Sequence, residues 1–152
     1  MLKEIAMGAA VVKFKASAAT NILFKRAFRE DITVKLTEYS KRTTELKKLQ
    51  EEVATIKASE LADDDKLAKL NEIMTSTAFV ESSAFSTETL PKLAYIMYLE
   101  ANVPVTEIFG KLSEEGYLTW LITMDQSDIS DNLSEILAIW RDGARTTSKP
   151  KN

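Results

Sequence analysis

The chain of 152 residues contains no cysteine and no histidine. Lack of thiols excludes disulfides, thiolate nucleophiles and cysteine zinc sites. Lack of imidazole removes the commonest general base and the commonest metal ligand, so the usual serine and cysteine triads cannot be built. Glycine is scarce: the four stand apart at 8, 110, 116 and 143, and none belongs to a loop that could cradle phosphate. There is no run of about 18 apolar residues such as a membrane-crossing helix needs. The opening Met1-Leu-Lys-Glu-Ile-Ala-Met-Gly8 lacks the apolar core of a secretion signal. These absences predict a protein of a reducing, intracellular compartment, with no metal, no cofactor and no enzymatic activity.

What is present is ordinary for a folded protein. Charged residues make up 28% and the hydrophobic class 45%, enough apolar surface to close a core at this length. The net charge of −3 speaks against a generic polyanion binder. Charge is unevenly spread, with 12 Lys/Arg against 7 Asp/Glu in residues 1–58 and 8 against 16 in residues 59–152. Halves of unlike sign suit contacts between copies or with a polar partner, although a solvated acidic surface explains them equally well.

Along the chain, Val12 and Phe14 alternate with Lys13 and Lys15 after a turn at Gly8, which predicts a hairpin or β arm over residues 1–16. Ser17 or Thr20 can cap a helix with Ile22, Leu23, Phe24, Ala27 and Phe28 on its apolar face. A joint at Arg29-Glu-Asp31 follows, and Asp31 can cap the next helix. Residues 31–57 hold neither Gly nor Pro and carry Ile32, Leu36, Tyr39, Leu46, Leu49, Val53 and Ile56 at helical spacing. A long amphipathic helix is expected there, and 46, 49, 53 and 56 alternate in steps of three and four as in a coiled-coil seam.

A break over 58–65 leads to a helix with Leu67, Leu70, Ile73 and Met74. The polar stretch 81–89 reads as a connection. Residues 89–143 form the expected core helices. Leu90 to Asn102 is apolar nearly all round, with Pro91 in the first turn, and is the expected central helix. Ser113 caps a helix carrying Tyr117, Trp120, Leu121 and Met124. Asp128 or Ser130 caps a last one carrying Ile129, Leu133, Ile136, Leu137 and Trp140, stopped by Gly143. Residues 144–152 read as a flexible tail. The fold class is therefore mainly α, with a short N-terminal β-hairpin or extended arm, in one domain over 1–143.

Few residues suggest chemistry. Asp63, Asp64 and Asp65 are consecutive and cannot all face one ion from a helix. Asp125, Asp128 and Asp131 lack the glycine and closing glutamate of a calcium loop. Trp120 and Trp140 sit on apolar stripes and read as core. Lys13, Lys15, Lys25, Arg26 and Arg29 interleave with Phe14, Phe24 and Phe28. That alternation can mark a nucleic-acid surface, but a buried aromatic face suits it better. Protein–protein binding remains, with Val12, Phe14, Phe24 and Phe28 as its candidate residues.

The segment from Val12 to Asp31, with Phe14-Lys-Ala-Ser-Ala-Ala-Thr20 at its centre and Asp31-Ile32 at its end, resembles the opening of the tail assembly chaperones of long-tailed phages of Gram-positive hosts. Arg29 stands where that family commonly has Gly. Leu93-Ala-Tyr-Ile-Met97, Tyr117-Leu-Thr-Trp-Leu121 with Met124-Asp125, and Ile136-Leu-Ala-Ile-Trp140 are similar to further blocks of the family, in the same order. Residues 40–85 have no counterpart in the resemblance. The resemblance implies a mainly helical, self-associating protein of the host cytoplasm. It would bind the tape measure protein, with tail tube protein as a second contact, and keep it soluble while the tube assembles. Membrane and nucleic acid are not expected partners. A structural virion or scaffold component and a small helical DNA-binding regulator are the alternatives.

Overall fold

A computed structural model describes residues 2–8 and 10–145. The architecture is mainly α with a two-stranded antiparallel hairpin at the N-terminus. Strands β1 (Leu2–Met7) and β2 (Ala10–Lys15) pair with Ile5 opposite Val12 and Glu4 opposite Lys13. One face carries Ile5, Met7 and Phe14, all buried, while Lys13 and Lys15 lie on the outer face with opposite-charged Glu4 beside Lys13. Gly8 makes the turn at a φ of 62°, where a side chain is disfavoured.

Helix α1 (Thr20–Phe28) ends at Arg29, which itself takes the left-handed conformation, φ 58°. The arginine thus adopts the backbone geometry that glycine would make easy, and its N–H bonds back to the Lys25 carbonyl at 2.7 Å. Asp31 then accepts the Thr33 N–H at 2.9 Å, as expected of a cap, and α2 (Ile32–Ala58) runs for 27 residues. After a short break, α3 (Asp63–Met74) starts on three exposed aspartates, which favour a helix N-terminus.

The segment expected to be a connection is helical instead. Helix α4 (Thr77–Ala84) passes through a π-helical turn, Phe85–Thr89, into α5 (Leu90–Asn102). Phe85 and Thr89 are buried, and the wider turn accommodates the change of helical register between them. A polar composition hid two inward-facing side chains.

Helix α5 is the core. Leu90, Leu93, Ala94, Ile96 and Met97 are wholly buried, and Leu99 and Tyr95 nearly so. A helix apolar around its circumference must be covered all round. β2, α1, α6 (Val105–Ile108), α7 (Glu114–Ile122), α8 (Gln126–Asp131) and α9 (Leu133–Arg145) supply the cover. Each Leu or Ile so enclosed contributes about 1.5–3 kcal/mol. A 3-10 turn, Phe109–Lys111, follows α6, and Ser113 caps α7 through the Gly116 N–H at 3.0 Å. Aromatic rings join the layers: Phe28 meets Tyr117 at 5.6 Å, Tyr95 meets Tyr117 at 5.9 Å, and Trp120 touches both Tyr95 and Tyr98 at 5.5 Å. Burial, with Glu114 and Glu88 nearby, pushes the Tyr117 phenol up to about 12.

Two expectations at the C-terminal end need correction. Asp125, not Asp128 or Ser130, caps: it accepts the Ser127 N–H at 3.0 Å and starts α8, with α9 following after Asn132. Gly143 does not stop α9 but lies within it. A Cβ at 143 would stand 2.4 Å from the Ala16 carbonyl oxygen, so glycine is required for the close approach of α9 to the end of β2. Trp140 is buried and donates its indole N–H to Asn21 Oδ1 at 2.7 Å, tying α9 to α1. The tail reading over 144–152 falls mostly outside the described residues, which end at 145.

The described residues gather into two compact units where the sequence suggested one domain over 1–143. The first runs to Thr33 and resumes at Ser86, and the second is Val34–Phe85.

Gly143→Ala is expected to lower unfolding free energy by about 1–3 kcal/mol, because overpacking against a backbone carbonyl outweighs the gain in helix propensity. Gly110→Ala, with nothing within 4 Å, is the control and should be near neutral. Denaturant melts of both check this; equal midpoints for Gly143→Ala and the parent would refute the close contact.

Candidate protein-binding surfaces

In the unit Val34–Phe85, the apolar stripe of α2 is only half covered. Leu36, Tyr39, Leu46, Leu49, Val53 and Ile56 are each partly exposed, and Ile32, outside this unit, is the only buried residue described in the helix. The lengths explain it. At 1.5 Å per residue α2 spans about 40 Å, against about 18 Å for α3 and about 12 Å for α4, so the two together are shorter than α2. Tyr39 finds a partner in Phe85, stacked at 4.2 Å. Ile73 is the one buried apolar residue described in α3, while Leu67 is 61% and Met74 53% exposed, against the expectation that both face inward.

Between α2 and α3 lies an open groove of about 770 Å³. Leu49, Ile56 and Ile73 line it together with Lys48, Glu52 and Lys69, an apolar strip bordered by both signs of charge. Ser76 also lines it. The seam alternates in steps of three and four, so its holes match the side-chain spacing of a helix laid along it. The arrangement can receive an amphipathic helix. The sequence showed the seam but could not show that it stays open.

The residues put forward from sequence for protein binding lie elsewhere. Phe14 and Phe24 are wholly buried in the core around α5, Val12 and Phe28 are half-buried, and Phe28 packs against Phe24 and Tyr117 with the Lys92 ammonium 5.2 Å from its ring. Their aromatic character served the fold. Asp63, Asp64 and Asp65 are exposed in the first turn of α3. Among the described residues, no group of three or more acidic side chains is placed to hold a metal ion, and no helix is long and apolar enough to cross a membrane.

One half-buried carboxylate escaped the sequence reading. Glu100 on α5 accepts the hydroxyls of Ser17 at 2.5 Å and Thr20 at 2.6 Å. Ser17 and Thr20 were expected as caps; instead the Ser17 N–H donates to Thr20 Oγ1 at 2.8 Å and both hydroxyls turn to Glu100. The carboxylate therefore fastens the β2–α1 junction to the central helix. Burial raises its pKa above the ordinary carboxylate value, opposed by the two hydroxyl bonds and by Lys15. Asn102 adds a second tie, donating to the Lys13 carbonyl at 2.9 Å.

Comparison with known proteins finds no matching family model, no matching characterised protein and no matching solved structure.

Glu100 has a pH signature. Its raised pKa means that the folded state holds the proton more tightly than the unfolded chain, so its contribution is complete below the unfolded pKa and is lost as pH rises through the folded one. The stability of Glu100→Gln relative to the parent should therefore rise across that window. Paired denaturant titrations from acid to neutral pH check it; a constant difference would contradict the burial of this charge.

Proposed function

We propose that the chain is a non-enzymatic tail assembly chaperone that holds a helical client, the tape measure protein of a long-tailed phage, through the α2–α3 groove. The observation that carries the reading is the seam 46–49–53–56, whose apolar side chains are all half-exposed on a helix with too little of its own chain to cover it. An apolar stripe left open to water favours a partner that buries it. The ordered blocks around Phe14–Thr20, Leu93–Met97, Tyr117–Leu121 and Ile136–Trp140 supply the family to which the reading appeals, and with it the client.

The physical task fits the surface. A long helical protein presents apolar faces before tube subunits enclose it, and a groove matched to helical spacing covers one stretch at a time. Several copies on one client gain avidity without any single tight contact. Such a protein works in the host cytoplasm and self-associates, with contacts between its basic N-terminal and acidic C-terminal portions weakened by salt. Tail tube protein is a further contact in this scheme.

The test is co-expression with a tape measure protein of a long-tailed phage. The parent should keep the client in the soluble fraction, whereas Leu49→Lys with Ile56→Lys should leave it insoluble while the chaperone itself stays folded by circular dichroism. Purified particles should contain none of the chain. A client equally soluble with the seam variant, or the chain present as a stoichiometric particle component, would overturn the reading, the latter in favour of a structural role.

A further inference from the structure

The outer face of α1 forms, with the α6 region, a surface that nothing in the fold uses. Ile22, Lys25 and Arg26 are exposed, Ile22 at 68%, and fall at i, i+3 and i+4, one stripe of a helix; exposed Arg29 follows at the left-handed turn that ends α1. The opposite side of the same helix, Leu23 and Phe24, is buried in the core. The stripe continues onto a second element. The Arg26 guanidinium lies 4.9 Å from the centre of the Phe109 ring, which is itself 56% exposed, and Val105, one turn earlier, is 76% exposed. Exposed apolar side chains, Ile22 on α1 and Phe109 against Arg26, thus accompany the cations. No acidic residue occurs in α1. Glu30 and Asp31 come after the left-handed turn at Arg29, and Asp31 accepts the Thr33 N–H. Glu107 is two residues from both Val105 and Phe109, on the other side of that turn of helix.

We infer that this stripe is a second binding surface, for an acidic amphipathic helix of a partner protein. The charge complement demands acidic side chains, and the exposed apolar side chains demand apolar ones at helical spacing beside them. The ring of Phe109 holds Arg26 in place, so less side-chain freedom is lost on binding than a free arginine would lose. A lipid surface fits less well, because the apolar side of α1 faces the core and cannot enter a bilayer. Nucleic acid fits less well too, since Ile22, Val105 and Phe109 offer nothing to a phosphate backbone and the chain is acidic overall. The inference goes beyond the groove and does not depend on the client being a tape measure protein.

The experiment uses the full chain and three labelled synthetic helices with the same leucine spacing, one rich in Glu, one neutral and one rich in Lys, read by fluorescence anisotropy. A labelled duplex DNA and vesicles of anionic phospholipid are the other probes. The Glu-rich peptide should bind best, with affinity falling as salt is raised from about 50 to about 300 mM. Lys25→Glu with Arg29→Glu should weaken it by about tenfold or more, and Ile22→Asp should weaken it independently, each variant keeping the parent's melting temperature. The Leu49→Lys, Ile56→Lys chain should still bind it. Equal binding of the three peptides, no binding of the acidic one, or unchanged binding by both stripe variants overturns the inference. So does tighter binding of duplex or vesicles through the same residues. Failure here leaves the co-expression result untouched, and failure there leaves this one untouched.

Discussion

A helix apolar around its whole circumference can exist in water only if other elements enclose it, and α5 is such a helix. Its wholly buried side chains, from Leu90 to Met97, set the positions of the hairpin and of α1, α6, α7, α8 and α9. The contacts that fasten those elements are polar or steric and few. Glu100 takes the hydroxyls of Ser17 and Thr20, Asn102 reaches the Lys13 carbonyl, and Trp140 binds Asn21. Gly143 lets α9 come against Ala16. Each of these acts at one point, while the burial of α5 supplies the driving force they direct.

The unit Val34–Phe85 obeys the opposite rule. Its longest helix has a clear apolar stripe that α3 and Phe85 cover only in part, and most of its large apolar side chains remain partly in water. Marginal burial of this kind is poor design for a freestanding fold and good design for a surface that receives a helix. The chaperone reading assigns the two units different tasks: one is enclosed by its own elements, and the seam of the other is completed by a client. The basic stripe on α1 would give the core a contact of different chemistry, electrostatic where the groove is apolar.

Local signals were legible in the sequence wherever local physics decided the outcome. The all-round apolar run of α5, the uninterrupted α2, the hairpin alternation, and the caps at Asp31 and Ser113 all follow from neighbours within a few residues. What escaped depended on residues far away. Glu100 looks like an ordinary surface carboxylate until Ser17 and Thr20 are brought to it. Gly143 looks like a helix stop until Ala16 is found against it. Residues 81–89 look like a connection because Ser, Thr and Glu outnumber Phe85, whose stacking on Tyr39 no local pattern encodes. The candidate binding phenylalanines lie in or against the core, since aromatic residues suit a core and an interface equally. The groove was half legible: the spacing of its seam was visible, its openness was not.

Amide hydrogen exchange of α2, alone and with the client bound, tests the account most directly. Amides of residues 46–56 should exchange much faster than those of residues 93–99 in the free chain, because the seam lacks the cover that α5 has. Binding the tape measure protein should slow 46–56 selectively. Exchange as slow in free α2 as in α5, or an unchanged 46–56 in the complex, would contradict the claim that the seam is an open site completed by a partner helix.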